Sequence, residues 1–563
     1  MKSFSILLGL FFAVNIYSQP IMEAYLFGGN DNEYSYEHCF DADGNFIIVG
    51  VVRGADMYFT DTIGTLDTEY KNIFIRKYSP DLSTLISSTI ICGTGHDYCK
   101  SVDIDSHGNV FIGGFVLSSS VPVTPNAYQT TNNSPSGYEA YIIKLNSGLD
   151  SLLSATYFGG EEKDYIYKLR IDHDDNVVVV GSTQSANYIA TTGAYDETYN
   201  GTTGSLFNFG DGYVAKFDNN LENKLSATYL GAGGDDACYS LIINNDNNIV
   251  ITGTTTSTDY PVSPNALSTS FNGDMDIVVT ELTSSLDTIV NSTYIGGNGR
   301  DIGWDIAYNS SENSYIIGSE CLSSNLNISG NVADPTPGGN GDGLIVILNG
   351  NMEGVHSATY VGGNDQDLVT CINYDGNTIV YGGMTESTDL PTSNDAYYPN
   401  YIDENEMADG FVGSINYDLS TFDYLTYFGG NDDDFIWDVS SNNNKMYLSG
   451  TTYSDNIESD SVFQGETDAV IAYFENIYLS NKQTASVSLS DNLHVYPNPA
   501  KDVLYINFNQ DEINSIVEIV NISGNTVKKF KPESTKITID ISTFPKGLYI
   551  LKTEKTSTRF VVE

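Results

Sequence analysis

A chain of 563 residues, 40% apolar and 17% charged, can bury a large core and is not a disordered polymer. Its formal charge of −49, from 73 acidic against 24 basic residues, argues against nucleic acid or an anionic membrane as partner. Glycine (52) and tyrosine (40) are abundant while cysteine (6) is sparse, which excludes a disulfide scaffold and suits a β-rich fold with tight turns.

Residues 1–18 read as a signal peptide: Lys2 supplies the charge, Ile6 to Val14 the apolar run, and Tyr17-Ser18 a cleavage site before Gln19. The run is too short to span a bilayer, and no other candidate span follows. The predicted mature protein is therefore exported without a transmembrane segment.

Residues 19–480 repeat seven times. The mark is Tyr157-Phe-Gly-Gly160, which returns at Tyr229, Tyr294, Tyr360 and Tyr427, with weaker copies at Leu26 and Ile90. Successive copies lie 64, 67, 72, 65, 66 and 67 residues apart, a period that belongs to stacked supersecondary units. Each repeat carries four strand signals. One strand (D) ends in the mark. A second (A) alternates, with apolar residues 12 and 14 positions past the mark, such as Leu169 and Ile171. A third (B) is a continuous apolar run closing on glycine, such as Val177-Val-Val-Val-Gly181. A fourth (C) opens on an acid, such as Asp211-Gly-Tyr-Val-Ala-Lys-Phe217.

Four antiparallel strands repeated seven times predict an all-β, seven-bladed β-propeller. A lone sheet of this kind cannot bury both faces, whereas stacking sheets in a ring does. Strand A is predicted innermost. The chain begins on a D-type strand, Met22 to Phe27, and the array ends on a C-type strand, Asp468 to Phe474. The N-terminal strand is thus expected to complete the last blade.

Candidate chemistry sits in the loops. The D–A loops are acidic, and an acid stands seven positions past every mark: Glu33, Asp97, Asp164, Asp236, Asp301, Asp367 and Asp434. A carboxylate ring could bind Ca²⁺ or a cationic ligand. The same acids could instead cap backbone N–H groups where strand A begins, and repetition in every blade favours that role. The unrepeated Asp432 and Asp433 are then the better ligand candidates. Turns such as Asp41-Ala-Asp-Gly-Asn45 resemble calcium loops but lack the glutamate at the twelfth position, so they read as hairpins. His38 occupies an apolar position and reads as a core histidine. Cys92 and Cys99 are near enough in sequence to pair, and the other four cysteines read as buried apolar residues. No catalytic motif or nucleophile–base pair is visible, so no catalytic residue is assigned.

Residues 481–490 are polar and read as a linker. From 491 to 563 the charge balances, and alternating strands between turns, such as Val503 to Phe508, predict a small β-sandwich.

Several motifs carry resemblances. Ser154-Ala-Thr-Tyr-Phe-Gly-Gly160, Asp211 to Phe217 and Thr255-Thr-Ser-Thr-Asp-Tyr-Pro261 resemble the SBBP-repeat propellers of secreted bacterial proteins over residues 22–480. That family implies architecture and secretion, not a defined activity. At the C-terminus, Tyr496-Pro-Asn-Pro499, Asn521-Ile-Ser-Gly524 and Gly547-Leu-Tyr549 resemble the type A sorting domain of the type IX secretion system of Bacteroidetes. The resemblance makes Tyr496, Pro497, Asn498, Pro499, Gly547 and Tyr549 the sorting signal. It implies recognition by the translocon and its sortase, with release or attachment at the cell surface.

The leading reading is a non-enzymatic surface or secreted binding protein that engages a glycan or protein through its variable acidic loop face. The alternatives are a polysaccharide hydrolase or lyase using carboxylates on that face, and a structural matrix component.

Overall fold

The structure is a computed structural model. It describes residues 20–477 and 494–562, except 55–56, 135–136, 203–208, 327, 329, 403–406, 460, 476, 497–500, 502, 508–514, 516, 522–525, 533, 535 and 554–556. The chain divides into two compact units, 1–481 and 482–563. Among the described residues every regular element is a strand and no helix is present. The predicted signal peptide and linker lie outside the described residues.

Among the described residues the first unit contains seven sheets. Sheet three is representative: Asp164–Ile171 (A), Val177–Thr183 (B), Asp211–Phe217 (C) and Lys224–Leu230 (D) pair antiparallel in that order. Strand B is a run of valines because both its faces are covered, and Val177 to Val180 are fully buried. The A strands of the other sheets are Glu33–Phe40, Asp97–Ile104, Asp236–Ile243, Asp301–Asn309, Asp367–Tyr374 and Asp434–Asn442. Each packs against the A strand of the next sheet, and Asp434–Asn442 packs against Glu33–Phe40. Sheets repeated in this manner resemble propeller blades. In sheet seven the fourth strand comes from the start of the chain. Ile21–Phe27 pairs antiparallel with Asp468–Glu475, with Leu26 opposite Val470.

The tyrosine of the mark has a structural role. Tyr157, Tyr229, Tyr294 and Tyr427 are buried, and each hydroxyl donates to the carbonyl of a serine just past strand B of its own sheet. The ring fills the gap between sheets while the hydroxyl stays satisfied, worth roughly 2–3 kcal/mol of burial per ring.

Sheet one differs from the repeat pattern. It has a fifth strand, Asp61–Gly64, which pairs parallel with Leu85–Cys92. Here the B–C connection runs along the outer edge, and the Thr60 N–H donates to the Ser88 carbonyl at 2.7 Å. This pairing depends on a tertiary neighbour and leaves no periodic signal in sequence. All six cysteines are free thiols, Cys92 and Cys99 included. Cys39 is partly exposed, unlike the other five. His38 is buried and stacks on Phe46 at 4.5 Å between ring centroids. Its ring nitrogens meet Ser449 Oγ at 3.0 Å and Ser440 Oγ at 2.5 Å, which makes it a satisfied core residue.

The second unit has two antiparallel sheets. One joins His494–Tyr496, Val503–Asn507 and Lys536–Asp540; the other joins Thr526–Phe530, Val517–Asn521, Gly547–Lys552 and Ser557–Val562. Leu504 and Ile506 of one sheet share a core with Ile519 and Leu551 of the other.

Candidate functional site

The seven repeated acids are buried, at 0–1% exposure, and each sits at the start of a strand A. Asp164 Oδ2 accepts the Gly160 N–H at 2.8 Å and the Ser185 hydroxyl at 2.9 Å, and its Oδ1 accepts the Thr183 hydroxyl. Asp236, Asp301, Asp367 and Asp434 each accept the matching backbone N–H and serine hydroxyl at 2.6–2.9 Å. These carboxylates tie the D–A loop to the end of strand B. They cap the chain and do not line a solvent-facing cation ring, so that expectation is corrected for Asp164, Asp236, Asp301, Asp367 and Asp434. Asp432 and Asp433 are partly exposed. Asp432 Oδ1 accepts the Asp433 N–H, and Asp433 Oδ1 accepts the Ala408 N–H at 2.8 Å. Among the described residues no group of three or more His, Cys, Asp or Glu side chains is placed to hold a metal ion.

The calcium-like turns are hairpins. Asp41 Oδ1 accepts the Asn45 N–H at 2.9 Å, and Asp41 Oδ2 meets Lys77 Nζ from strand C at 2.5 Å. Gly44 takes the left-handed φ of 79° that the turn requires.

A different set of residues converges. Every A–B pair carries a register shift at or beside position ten past the mark, between Ile166 and Lys168 in sheet three and between Gly303 and Asp305 in sheet five. A β-bulge leaves one residue out of the ladder and re-aims its side chain. The residues so released are Tyr36, Lys100, Tyr167, Tyr239, Trp304, Thr370 and Trp437, one from each sheet. All seven line one cavity of about 230 Å³. Neighbouring rings touch: Tyr167 and Tyr239 centroids are 5.3 Å apart, Tyr239 and Trp304 4.9 Å, and Tyr36 and Trp437 6.3 Å. Lys100 Nζ lies 3.6 Å from the Tyr36 ring centroid. A second tier at position eight, toward the D–A loops, includes Tyr34, Tyr98, Tyr165 and Phe435. Tyr165 stacks on Tyr167, and Phe435 stacks on Trp437. Lys71 Nζ sits 4.3 Å from the Tyr34 centroid and 5.5 Å from that of Tyr98.

The floor of the cavity is a charge network. Lys168 Nζ meets Glu37 Oε1 at 2.8 Å and Asp305 Oδ1 at 3.3 Å, and Arg170 meets Glu37 Oε1 at 2.8 Å. Burial raises the Glu37 carboxyl, but the Arg170 and Lys168 charges outweigh it and hold the group well below the usual range. Burial pushes the Lys100 ammonium down to about 8, and the neighbouring Lys71 charge adds to the effect. A larger hollow of about 400 Å³ lies between sheets four and five. Its lining is mainly aliphatic, Leu267, Ile295 and Leu344 among it, and it draws on two sheets only.

Sequence reasoning missed the bulged set. Alternation anchored on positions 12 and 14 places residue ten on the core face, and the bulge reverses that assignment. The available signal was the aromatic and lysine content at position ten, where the core would have carried aliphatics. Of the predicted sorting residues, Pro497, Asn498 and Pro499 lie outside the described residues. Tyr496 ends a strand paired with Val503–Asn507. Gly547 opens a strand in which Tyr549 is buried, its hydroxyl donating to the Pro545 carbonyl at 2.7 Å.

Residues 494–563 match the family described as the secretion system C-terminal sorting domain. That domain marks the protein for the type IX secretion system, and hence for secretion and the cell surface. Among the described residues no helix is long and apolar enough to cross a membrane. No curated protein matches the chain. Among solved structures the chain is similar to PorZ, a surface component of the type IX secretion system of Porphyromonas gingivalis. The identity is 11% and the TM-score 0.30, over 95% of this chain and 60% of PorZ. It is similar to the WD40 β-propeller domain of Doa1 at 11% identity and TM-score 0.39, over 80% of this chain and 96% of that one. It is also similar to a DUF4221 family member from Bacteroides vulgatus at 12% identity and TM-score 0.32, over 65% and 92%. Scores this low carry no argument about this chain.

Proposed function

We propose that the first unit is a closed, seven-bladed propeller and that the protein is a non-enzymatic binding protein for a saccharide. Closure is supported by the packing of the seventh A strand on the first, and by the chain start supplying the outer strand of sheet seven. Binding rests on one observation: seven bulges turn seven side chains, five of them aromatic, into a single cavity. Phenol and indole faces stack on the C–H faces of sugar rings, and a few polar groups among them fix orientation. The cavity has room for one ring, so the expected ligand presents a single residue to the axis. The variable B–C connections and acidic D–A loops would surround whatever extends from it. Handling by the type IX translocon and its sortase delivers this module to the exterior.

The test is a calorimetric screen of the intact chain against extracellular polysaccharides and their oligosaccharides. Saturable binding without turnover is expected. The double variant Tyr239→Ala/Trp304→Ala should weaken it at least tenfold, and Asp432→Asn should leave it unchanged. Hydrolysis or elimination of a bound saccharide would assign the protein to the enzymes instead.

A further inference from the structure

We infer that the ring held at the axis is an anionic sugar residue, carrying a carboxylate or a sulfate. The inference rests on the saccharide reading above and adds the charge of the ligand. It follows from which polar groups in the cavity are already used. The acceptors are spent: Glu37 takes Lys168, Arg170, the Ser101 hydroxyl and the Val102 N–H, while Asp305 takes Lys168, the Ser240 hydroxyl and the Ile372 N–H. Beside the hydroxyls of the lining, which can accept as well as donate, what remains is a set of donors. Trp304 Nε1 is buried without a hydrogen-bond partner among the described residues. Lys100 lines the cavity and rests on Tyr36, while Lys71, outside the lining, rests on Tyr34 and Tyr98. An aromatic face attracts an ammonium but accepts none of its hydrogen bonds in the ordinary sense.

The other described lysines of this unit divide: Lys163 and Lys224 also lack a carboxylate within 4.0 Å, and Lys224 Nζ ends on the Tyr188 and Ile189 carbonyls at 2.6–2.7 Å. Lys77, Lys144, Lys168, Lys216 and Lys445 each end on a carboxylate, at 2.5–3.4 Å. Among the described residues neither Lys71 nor Lys100 has a carboxylate within 4.0 Å, in a chain with three acids for every base. Two ammonium groups near each other repel, and desolvating them costs more. A bound carboxylate or sulfate relieves both terms, and it accepts from Lys100 while the sugar ring lies against the aromatics. The diffuse charge of −49 does not oppose this at short range, because salt screens it beyond about 8 Å at physiological ionic strength.

Calorimetry on the intact chain tests this with three oligosaccharides of equal length: neutral, glucuronate-containing and sulfated. At least one acidic probe should bind tenfold or more tighter than the neutral one. The ratio should collapse toward one in Lys100→Met, whose linear side chain replaces the lysine stem, and should fall in Lys71→Gln at its partly exposed position. Equal affinity for neutral and acidic probes overturns the inference and leaves the saccharide reading standing. An acidic preference indifferent to both lysine variants also overturns it. Failure of all three probes to bind removes the saccharide reading as well. Which acidic probe wins separates carboxylate from sulfate.

Discussion

Asp236 shows how one side chain can organise a repeat. Its two oxygens accept from the Ala232 N–H, the Ser257 hydroxyl and the Thr255 hydroxyl, so three chain segments meet on one buried carboxylate. Asp236→Ala would strand those donors away from water, at an expected cost of about 2–4 kcal/mol. Asp432→Ala removes a single bond from a partly exposed position and should stay within about 0.5 kcal/mol. Denaturant unfolding of the two variants measures the difference. The sequence displayed this acid seven times, and repetition favoured a cap over a ligand. It could not show that the serine two residues beyond strand B, Ser185 or Ser257, is the cap's second partner, because that contact joins segments about twenty residues apart.

Between elements, strand C of one sheet meets strand A of the next across the glycine of the mark. A Cβ on Gly231 would stand 2.7 Å from Asp236 Oδ2 and 2.9 Å from Asp211 Oδ1, and one on Gly362 would stand 2.6 Å from both Asp342 Oδ1 and Asp367 Oδ2. Two buried carboxyls thus face each other at successive joints. Burial, with the facing acid adding, pushes Asp211, Asp276 and Asp342 up to about 7. Burial pushes Asp164, Asp236 and Asp367 up to about 6. In the unfolded chain these groups titrate near 3.9. The folded state therefore binds more protons between those limits. Its advantage is full below about pH 4 and is lost as pH rises through 6 to 7. The thermal midpoint should be higher at pH 5 than at pH 8, and Asp211→Asn should reduce that difference. Differential scanning fluorimetry across this range measures both. The bulges belong to the same scale. Strand identity, order and turn chemistry were legible because period two and Asp/Gly turns are local signals. The bulge was not, since an extra residue against strand B is defined by pairing, and it decided where the aromatic cavity lies.

At the scale of the whole first unit, the chain start and the last C strand share a sheet through seven residue pairs from Ile21 opposite Glu475 to Phe27 opposite Ala469. Deleting residues 22–29 should lower the thermal midpoint sharply and raise protease sensitivity in sheet seven; an unchanged midpoint would contradict ring closure. The proposed closed ring accounts for a cavity that gathers one bulged residue from each sheet. The chain has only two tryptophans, Trp304 and Trp437, and both line the axial cavity. Tryptophan emission of the unlabelled protein, excited where tyrosine does not absorb, therefore reports on that cavity alone. Titration with a saccharide that binds by calorimetry should shift or quench this emission saturably, with the same affinity. An emission spectrum that stays constant while the ligand binds would place the ligand elsewhere and contradict the axial site.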